Sequence, residues 1–297
     1  MVMNKKLISI LAIVVTISGF AQNYNEQFQE ICQQGKLSES KDFLDAWEKA
    51  EPDNPEMYIG LFNYYLAECK SRFGNPNFLD GYIIDVENDS ISLNKLLKVR
   101  TESDSLFQVA QDYLDEGISK NLDRLDMYIG RSNTLNERQY HIEFVASVET
   151  MIKRHKENKG EWLWANNETF NKTEDEFVNI IQGYINSLFN SVNADMKDVE
   201  NLSKLLIEIY PDNYILLSNM GICKLEENKY EEAISFFEKG LASKPDDLII
   251  RLNLADTYVE LQDIEKAKQY YNYVIEHGDA QFSEYAKALL EQIKVKE

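Results

Sequence analysis

The stretch that decides the fold is NYILLSNMGICKLEENKYEEAISFFEKGLASKPDD, residues 213–247. In its first half, Leu217, Met220 and Gly221 follow the i, i+3, i+4 spacing of one helix face. The polar segment EENK interrupts this helix. A second helical stripe follows, formed by Tyr230, Ala233, Phe237 and Gly240. Pro245 comes next and favours a helix end. The stretch therefore predicts two helices joined by a short turn.

The same scheme returns 34 residues later, where Ala255, Ala267 and Tyr271 take the places of Gly221, Ala233 and Phe237. On these residues the chain resembles the tetratricopeptide repeat, a helical hairpin of 34 residues. The resemblance implies that the small residues, at repeat positions 8 and 20, let the two helices approach closely. It also implies that hairpins stack, because one hairpin cannot bury its apolar face alone. Three residues depart from the pattern: Lys224 at position 11, Arg251 at position 4 and Asp279 at position 32.

Two similar octapeptides extend this register towards the N-terminus. EMYIGLFN begins at Glu56 and DMYIGRSN at Asp126, which places Tyr58 and Tyr128 at position 4, the large interlocking position. Residues 107–123 also align without a gap on 230–246, so that Gly117 matches Gly240. The predicted units are 21–54, 55–70 joined to 107–124, 125–158, 180–213, 214–247 and 248–281, with a capping helix at 282–295.

The predicted fold class is therefore all-α, a solenoid of tetratricopeptide-like helical hairpins with a C-terminal capping helix and two irregular insertions. The predicted organisation is a signal peptide at 1–21 and a degenerate repeat region at 22–158 with an insertion at 71–106. These are followed by an inserted loop at 159–179 and then by the C-terminal repeats and capping helix at 180–297.

The N-terminus has the pattern of a secretory signal. Lys5 and Lys6 precede the apolar run LISILAIVVTISGF, and Gly19 and Ala21 supply the small residues before a cleavage site that leaves Gln22 first. The run is short for a membrane span, which needs roughly 20 apolar residues. We predict an exported chain, periplasmic or secreted, without stable membrane insertion after cleavage.

The chain is acidic, with 31 Lys and Arg residues against 51 Asp and Glu residues and a net charge of −20. Such a charge repels nucleic-acid phosphates, so nucleic acid is not an expected partner. Family members that bind an acidic C-terminus use a Lys at position 5 and an Asn at position 9. In this chain, positions 5 and 9 hold Ser218 and Ile222 in the repeat 214–247 and Leu252 and Asp256 in the repeat 248–281. A basic or amphipathic protein or peptide is therefore the predicted partner.

The resemblance also implies which side chains line the inner, concave wall of the stack, where family members bind peptides. These are Asn219, Ile222, Glu226, Asn253, Asp256, Glu260, Asn63 and Asn133. An asparagine can both donate to and accept from an extended peptide backbone. The alternative interpretation is that these are solvated polar residues of exposed helix faces.

The insertions depart from the repeat pattern. Residues 81–93, GYIIDVENDSISL, favour a short hairpin. Asp85, Glu87 and Asp89 alternate as in a calcium loop, although Ser90 replaces the required glycine. Trp162 and Trp164 in GEWLWANNETF are candidate stacking residues for a sugar or peptide. The other interpretation, which we favour, is that they attach the loop to the helices.

The sequence contains no recognisable catalytic motif. His141, His155 and His277 are scattered, and there is no H-E-x-x-H, G-x-S-x-G or phosphate-binding glycine loop. Cys32, Cys69 and Cys223 form neither a disulfide framework nor a metal site, although a Cys32–Cys69 bridge is compatible with an oxidising compartment. We predict a non-catalytic scaffold with no cofactor. Glycan binding and a carboxylate-dependent enzyme are the alternatives.

Overall fold

The computed structural model describes residues 23–74, 90–170, 173–191 and 195–296, and in these ranges the chain is built from α-helices. The helices are α1 Tyr24–Gln33, α2 Lys41–Ala50, α3 Pro55–Phe73, α4 Ser90–Lys120, α5 Leu125–Glu137, α6 His141–Glu157, α7 Glu174–Phe189, α8 Met196–Ile207, α9 Tyr214–Glu226, α10 Tyr230–Ser243, α11 Leu248–Glu260, α12 Ile264–His277 and α13 Ala280–Lys296. Leu37–Glu39 and Ala165–Asn167 are short 3-10 turns. Successive helices pack as hairpins, which confirms the predicted all-α solenoid.

The hairpin of α9 and α10 shows why small residues are required where the helices meet. A Cβ atom at Gly221 would lie 2.3 Å from Cε1 of Phe237, far inside van der Waals contact. Ala233 and Phe237 are completely buried. The next hairpin, α11 and α12, places the fully buried Ala255 and Ala267 in the same role. Close packing of the two helices therefore depends on the absence of larger side chains at these positions.

Two glycines far apart in sequence occupy equivalent places. A Cβ at Gly240 would meet Ile250 Cδ1 at 2.9 Å and Leu217 Cβ at 3.7 Å. A Cβ at Gly117 would meet Tyr58 Cβ at 2.8 Å and Met127 Sδ at 3.4 Å. In both cases the glycine of a second helix touches its own first helix and the first helix of the next hairpin. The alignment of 107–123 on 230–246 is thus confirmed in three dimensions.

The repeated octapeptides form equivalent first turns. Tyr58 and Tyr128 are both buried, and each hydroxyl donates to the carbonyl six residues earlier. The Tyr58 hydroxyl lies 2.7 Å from the carbonyl oxygen of Pro52. The Tyr128 hydroxyl lies 3.1 Å from the carbonyl oxygen of Leu122. Each tyrosine therefore ties its helix to the end of the preceding hairpin.

Arg251 makes the same link where the pattern expects a large apolar residue. Its Nη2 donates to the carbonyl of Pro245, again six residues earlier. Its guanidinium carbon lies 3.6 Å from the centre of the Tyr273 ring, which is a cation–π contact. Arg251 therefore makes the same backbone hydrogen bond as Tyr58 and Tyr128 and also packs on an aromatic ring.

Lys224, the departure at position 11, is compensated by a partner in the preceding hairpin. Its ammonium lies 2.7 Å from a carboxylate oxygen of Glu200 on α8, and both residues are buried. Glu227 adds a second contact at 3.1 Å. Hydrogen bonds from Lys204 and Lys224 hold the pKa of Glu200 below its usual value. A buried amine is tolerated because it is fully paired.

The predicted boundaries of the insertions need correction. The predicted loop 159–179 ends too late, because α7 begins at Glu174 rather than at Ile180. The cause is a capping box, in which the Glu176 carboxylate accepts from the backbone N–H of Thr173 at 2.9 Å. In the other insertion, residues 90–106 belong to α4, so the predicted hairpin cannot include 90–93. The rest of it, with Asp85, Glu87 and Asp89, lies outside the described residues.

The apolar core runs along the array as three successive clusters of buried side chains. The central cluster joins residues on both sides of the inserted loop, including Val148, Phe177 and Val199. The C-terminal cluster includes Ala286 and Ile293 of α13, so this helix covers the last hairpin as predicted. None of the described helices is long and apolar enough to cross a membrane. The three cysteines are free thiols, with Cys32 exposed and the other two buried.

Candidate functional site

A groove of about 880 Å³ lies between the last hairpin and the capping helix. Its walls come from α11, the turn after it, α12 and α13. We call it the C-terminal groove, and its lining residues are Asp256, Val259, Glu260, Gln262, Ile264, Tyr271, Leu289, Gln292 and Ile293. Two of the predicted concave-wall residues, Asp256 and Glu260, therefore face the same groove. Four of the nine lining side chains are aliphatic, and none is basic.

The carboxylate of Asp256 is held in a fixed orientation. The Tyr271 hydroxyl donates to its Oδ1, and Tyr271 itself is almost completely buried. Burial raises the pKa of Asp256, the nearby Glu260 raises it further, and the bond from Tyr271 acts in the opposite direction. Neither carboxylate has an ion-pair partner within the described ranges, whereas Asp263 nearby is paired with Lys266 at 3.0 Å. The groove thus contains negative charge that the described part of the chain does not balance.

Asn219 and Asn253 are the sixth residues of α9 and α11, yet their surroundings differ. Asn219 is buried, and its Nδ2 donates to Gln182 Oε1 at 2.8 Å. Gln182 returns a weaker bond at 3.4 Å. The Nδ2 of Asn253 is also buried, but it has no hydrogen-bond partner among the described residues. Gln182 is the ninth residue of α7, and the ninth residue of α9 is Ile222, which cannot accept a hydrogen bond.

The other predicted wall residues are scattered between exposed and half-buried surfaces. Ile222 is half-buried against the C-terminal core cluster, and Glu226 is exposed. Asn63 is half-buried. Asn133 is exposed, and its Oδ1 accepts from the Tyr184 hydroxyl at 3.0 Å. Of the predicted set, Asp256 and Glu260 line the C-terminal groove, and a binding role for all eight residues stays a prediction.

The tryptophans of the inserted loop have mainly structural contacts. Trp162 is only 1% exposed, so it cannot be a stacking platform for a ligand in this arrangement. Its Nε1 donates to His155 Nδ1 at 2.7 Å, and the His155 ring stacks on Phe177 with centroids 3.6 Å apart. Trp164 is 37% exposed and stacks on Phe170. The interpretation that these residues attach the loop to the helices is the one that the contacts support.

The C-terminal part of the chain is similar to a known protein family. Residues 224–293 match the tetratricopeptide-repeat family model, and this segment contains α10 to α12, most of α13 and the whole C-terminal groove. This part of the chain is a tetratricopeptide-repeat array. Repeats of this family are generally non-catalytic scaffolds for protein–protein interaction. No curated protein matches the chain.

Solved tetratricopeptide-repeat structures are similar to the chain at low identity. They include YrrB, described as having an unusual peptide-binding site, at 15% identity, with 71% of this chain and 97% of that chain covered and a TM-score of 0.41. A tetratricopeptide repeat protein from Parabacteroides merdae has 16% identity, 90% and 96% coverage and a TM-score of 0.36. PilF from Pseudomonas aeruginosa has 15% identity, 74% and 93% coverage and a TM-score of 0.38.

The repeat pattern did not identify the rest of the groove. Tyr271, Leu289 and Ile293 were placed by their spacing on buried helix stripes, and nothing in that spacing indicated that they also border a groove. In the capping helix, Leu289 and Ile293 lie on one face, and this stripe indicates packing but not a groove. Because the capping helix packs where the first helix of a further tetratricopeptide repeat would lie, its apolar face becomes one wall of the groove.

A second unpredicted arrangement lies at the connection between the second and third hairpins. The side chain of Arg124 is 1% exposed and lies 2.8 Å from both Glu56 and Asp126, the acidic residues that open the two octapeptides. Glu56 also accepts from the backbone N–H of Asn166 at 2.7 Å. The backbone N–H of Leu163 donates to the carbonyl of Asp123 at 2.7 Å. The inserted loop is thereby fastened across two hairpins.

Proposed function

We propose that the chain is an exported, non-catalytic scaffold that holds a segment of a partner protein in the C-terminal groove. The observation that carries the proposal is the groove itself, which brings Asp256 and Glu260 together with an aliphatic wall inside the tetratricopeptide-repeat array. Its volume is within the usual range for binding sites, about 300–1,000 Å³. A basic or amphipathic segment fits its charge.

The proposed location is supported by the signal-like N-terminus, with cleavage after Ala21. Peptide binding on a helical-repeat surface requires no catalytic group, and the perturbed carboxylate, Asp256, has a structural partner in Tyr271. Glycan binding through Trp162 loses its main support because that side chain is buried. Scaffolding is therefore the function that the described residues favour.

Site-specific photo-cross-linking in the native envelope tests this proposal. A photoreactive amino acid is placed at the exposed Gln292 in the groove or, as a control, at Ser235, which is exposed on α10 outside it. The expected result is a discrete cross-linked protein from position 292 and none from position 235, with the recovered scaffold beginning at Gln22. Equal cross-linking from both positions, or none from the groove, would refute the proposed site.

A further inference from the structure

We propose that the C-terminal groove selects a segment in which a lysine or arginine stands beside apolar residues, and that Asp256 and Glu260 recognise the cationic side chain. This inference rests on the proposed function and specifies the chemistry of its partner. It is carried by the charge and shape of the groove.

The two carboxylates lie four residues apart on α11 and therefore on one face of that helix. Like charges at this spacing repel each other. A cation placed between them would remove the repulsion and supply the missing counter-charge. The described part of the chain offers no basic side chain among the nine that line the groove. A partner is thus the source of positive charge that fits.

The orientation of the Asp256 carboxylate is fixed by Tyr271. Tyr271 donates to one oxygen of Asp256, and no described donor occupies the other oxygen. Tyr271 is 2% exposed, so its hydroxyl is a rigid support. A fixed carboxylate loses little conformational freedom when a cation binds, whereas an exposed, mobile one pays that entropy on binding. Asp256 is therefore the stronger of the two recognition groups, and Glu260, which is exposed, completes the site.

The groove is also partly aliphatic. Val259 on α11, Ile264 on α12 and Leu289 on α13 are half-buried and give the groove an aliphatic surface next to the carboxylates. The buried Ile293 of α13 also lines the groove. A bare metal ion would leave this surface uncovered. A lysine or arginine has an apolar stem that packs on such a surface while its charged end reaches the carboxylates. Apolar neighbours in the partner segment would cover the remainder, so a protein segment is the occupant that uses both walls.

Fluorescence anisotropy with matched peptides tests the inference. The probe is a fluorescein-labelled 12-residue peptide of alternating leucine and lysine, and its comparator is the same peptide with every lysine acetylated. We expect the full-length mature chain to bind the lysine peptide about tenfold more tightly, because acetylation removes the charge and keeps the stem. Both measurements are made at one physiological salt concentration, since surface attraction depends on ionic strength.

Two variants separate the groove from the general acidity of the chain. Asp256→Asn keeps an oxygen acceptor for Tyr271, and Glu232→Gln removes one charge from an exposed position on α10. We expect Asp256→Asn to weaken the lysine peptide about tenfold and to leave the acetylated peptide unchanged, while Glu232→Gln changes binding less than about twofold. Circular dichroism confirms that both variants are folded.

The outcomes distinguish the inference from the proposed function. Equal binding of the two peptides, or equal effects of Asp256→Asn and Glu232→Gln, would overturn cation recognition and leave a scaffold with a different specificity. If neither peptide binds while cross-linking from Gln292 still captures a partner, the partner is not a basic segment and the inference fails alone. Absence of cross-linking would remove the proposed function as well.

Discussion

The contrast between Asn219 and Asn253 gives a prediction in which the same substitution has opposite effects in adjacent repeats. Both residues are the sixth of their helices, and asparagine and leucine have the same branched shape. Asn219→Leu removes a paired amide and leaves Gln182 without its partner. Asn253→Leu removes a buried N–H group that has no described partner. We therefore expect Asn219→Leu to destabilise the protein and Asn253→Leu to stabilise it.

The magnitudes follow from the cost of an unmade hydrogen bond. A buried donor or acceptor left without a partner costs about 1–3 kcal/mol. Asn253→Leu abolishes such a group and adds a better helix former, which contributes a few tenths of a kcal/mol. We expect the free energy of unfolding to rise by roughly 1 kcal/mol or more. Asn219→Leu breaks bonds of 2.8 and 3.4 Å to the half-buried Gln182. We expect a loss of roughly 1–2 kcal/mol, because part of the Gln182 amide can reach water.

The measurement is urea unfolding followed by circular dichroism, together with the calorimetric melting temperature. A change of 1 kcal/mol shifts the melting temperature of a domain of this size by about 2–4 °C, so the two variants should lie on opposite sides of the wild type. In a double variant the two changes in the free energy of unfolding should add, because Asn219 and Asn253 share no hydrogen-bond partner. Destabilisation by Asn253→Leu equal to that of Asn219→Leu would show that the Asn253 amide is satisfied in solution.

Two further predictions concern packing and pH. Gly221→Ala puts a methyl group 2.3 Å from the Phe237 ring, so it should lower the free energy of unfolding by about 1–3 kcal/mol. A methyl group at Gly183 on α7 meets no atom within 4 Å, so Gly183→Ala should raise the free energy of unfolding by about 0.5–1 kcal/mol. Both changes are measured by the same urea experiment. Burial lowers the pKa of His155 from its usual value to about 4. The unfolded chain therefore takes up this proton first as pH falls, and stability should decline between pH 6.5 and about 4 by roughly 3 kcal/mol, with a slope that His155→Gln reduces. A variant with the wild-type pH profile would show that His155 does not titrate in this way.

The sequence predicts the last two hairpins well because their determinants are local. Gly221, Ala233, Ala255 and Ala267 stand at fixed spacings, and small residues at those places are required by the close approach of two helices joined by a short turn. The capping helix was predicted for a similar reason, since its apolar stripe has to be covered by the preceding hairpin. Such features can be read from one segment without knowing what lies elsewhere in the chain.

The repeat register predicts the start of α7 too late, at Ile180 rather than Glu174, because the 34-residue period does not give the length of the insertion before this helix. The local signal was nevertheless available. Thr173 and Glu176 have the spacing of a capping box and mark the start of a helix at Glu174. Where an insertion interrupts the repeats, a local capping motif therefore predicts the start of a helix better than the repeat period does.

The departures from the repeat pattern could not have been interpreted from spacing alone. Lys224 is stabilised by Glu200 from another hairpin, and Arg251 keeps the position-4 bond through the carbonyl of Pro245. Trp162 is buried because His155 and Phe177, on the helices either side of its loop, surround it. In each case the decisive partner is a backbone group or a side chain of another helix, so composition and period carry no information about it.

The candidate site combines both kinds of determinant, which explains why only two of its nine lining residues were predicted as binding residues. Asp256 and Glu260 follow from repeat positions, because the wall of a solenoid is set by helix periodicity. The groove also needs Leu289 and Ile293, whose place opposite them depends on how α13 packs against the last hairpin. An acidic surface alone would attract many cations without selecting among them. It is the aliphatic wall facing those carboxylates that makes a side chain with both an apolar stem and a charged end the best match.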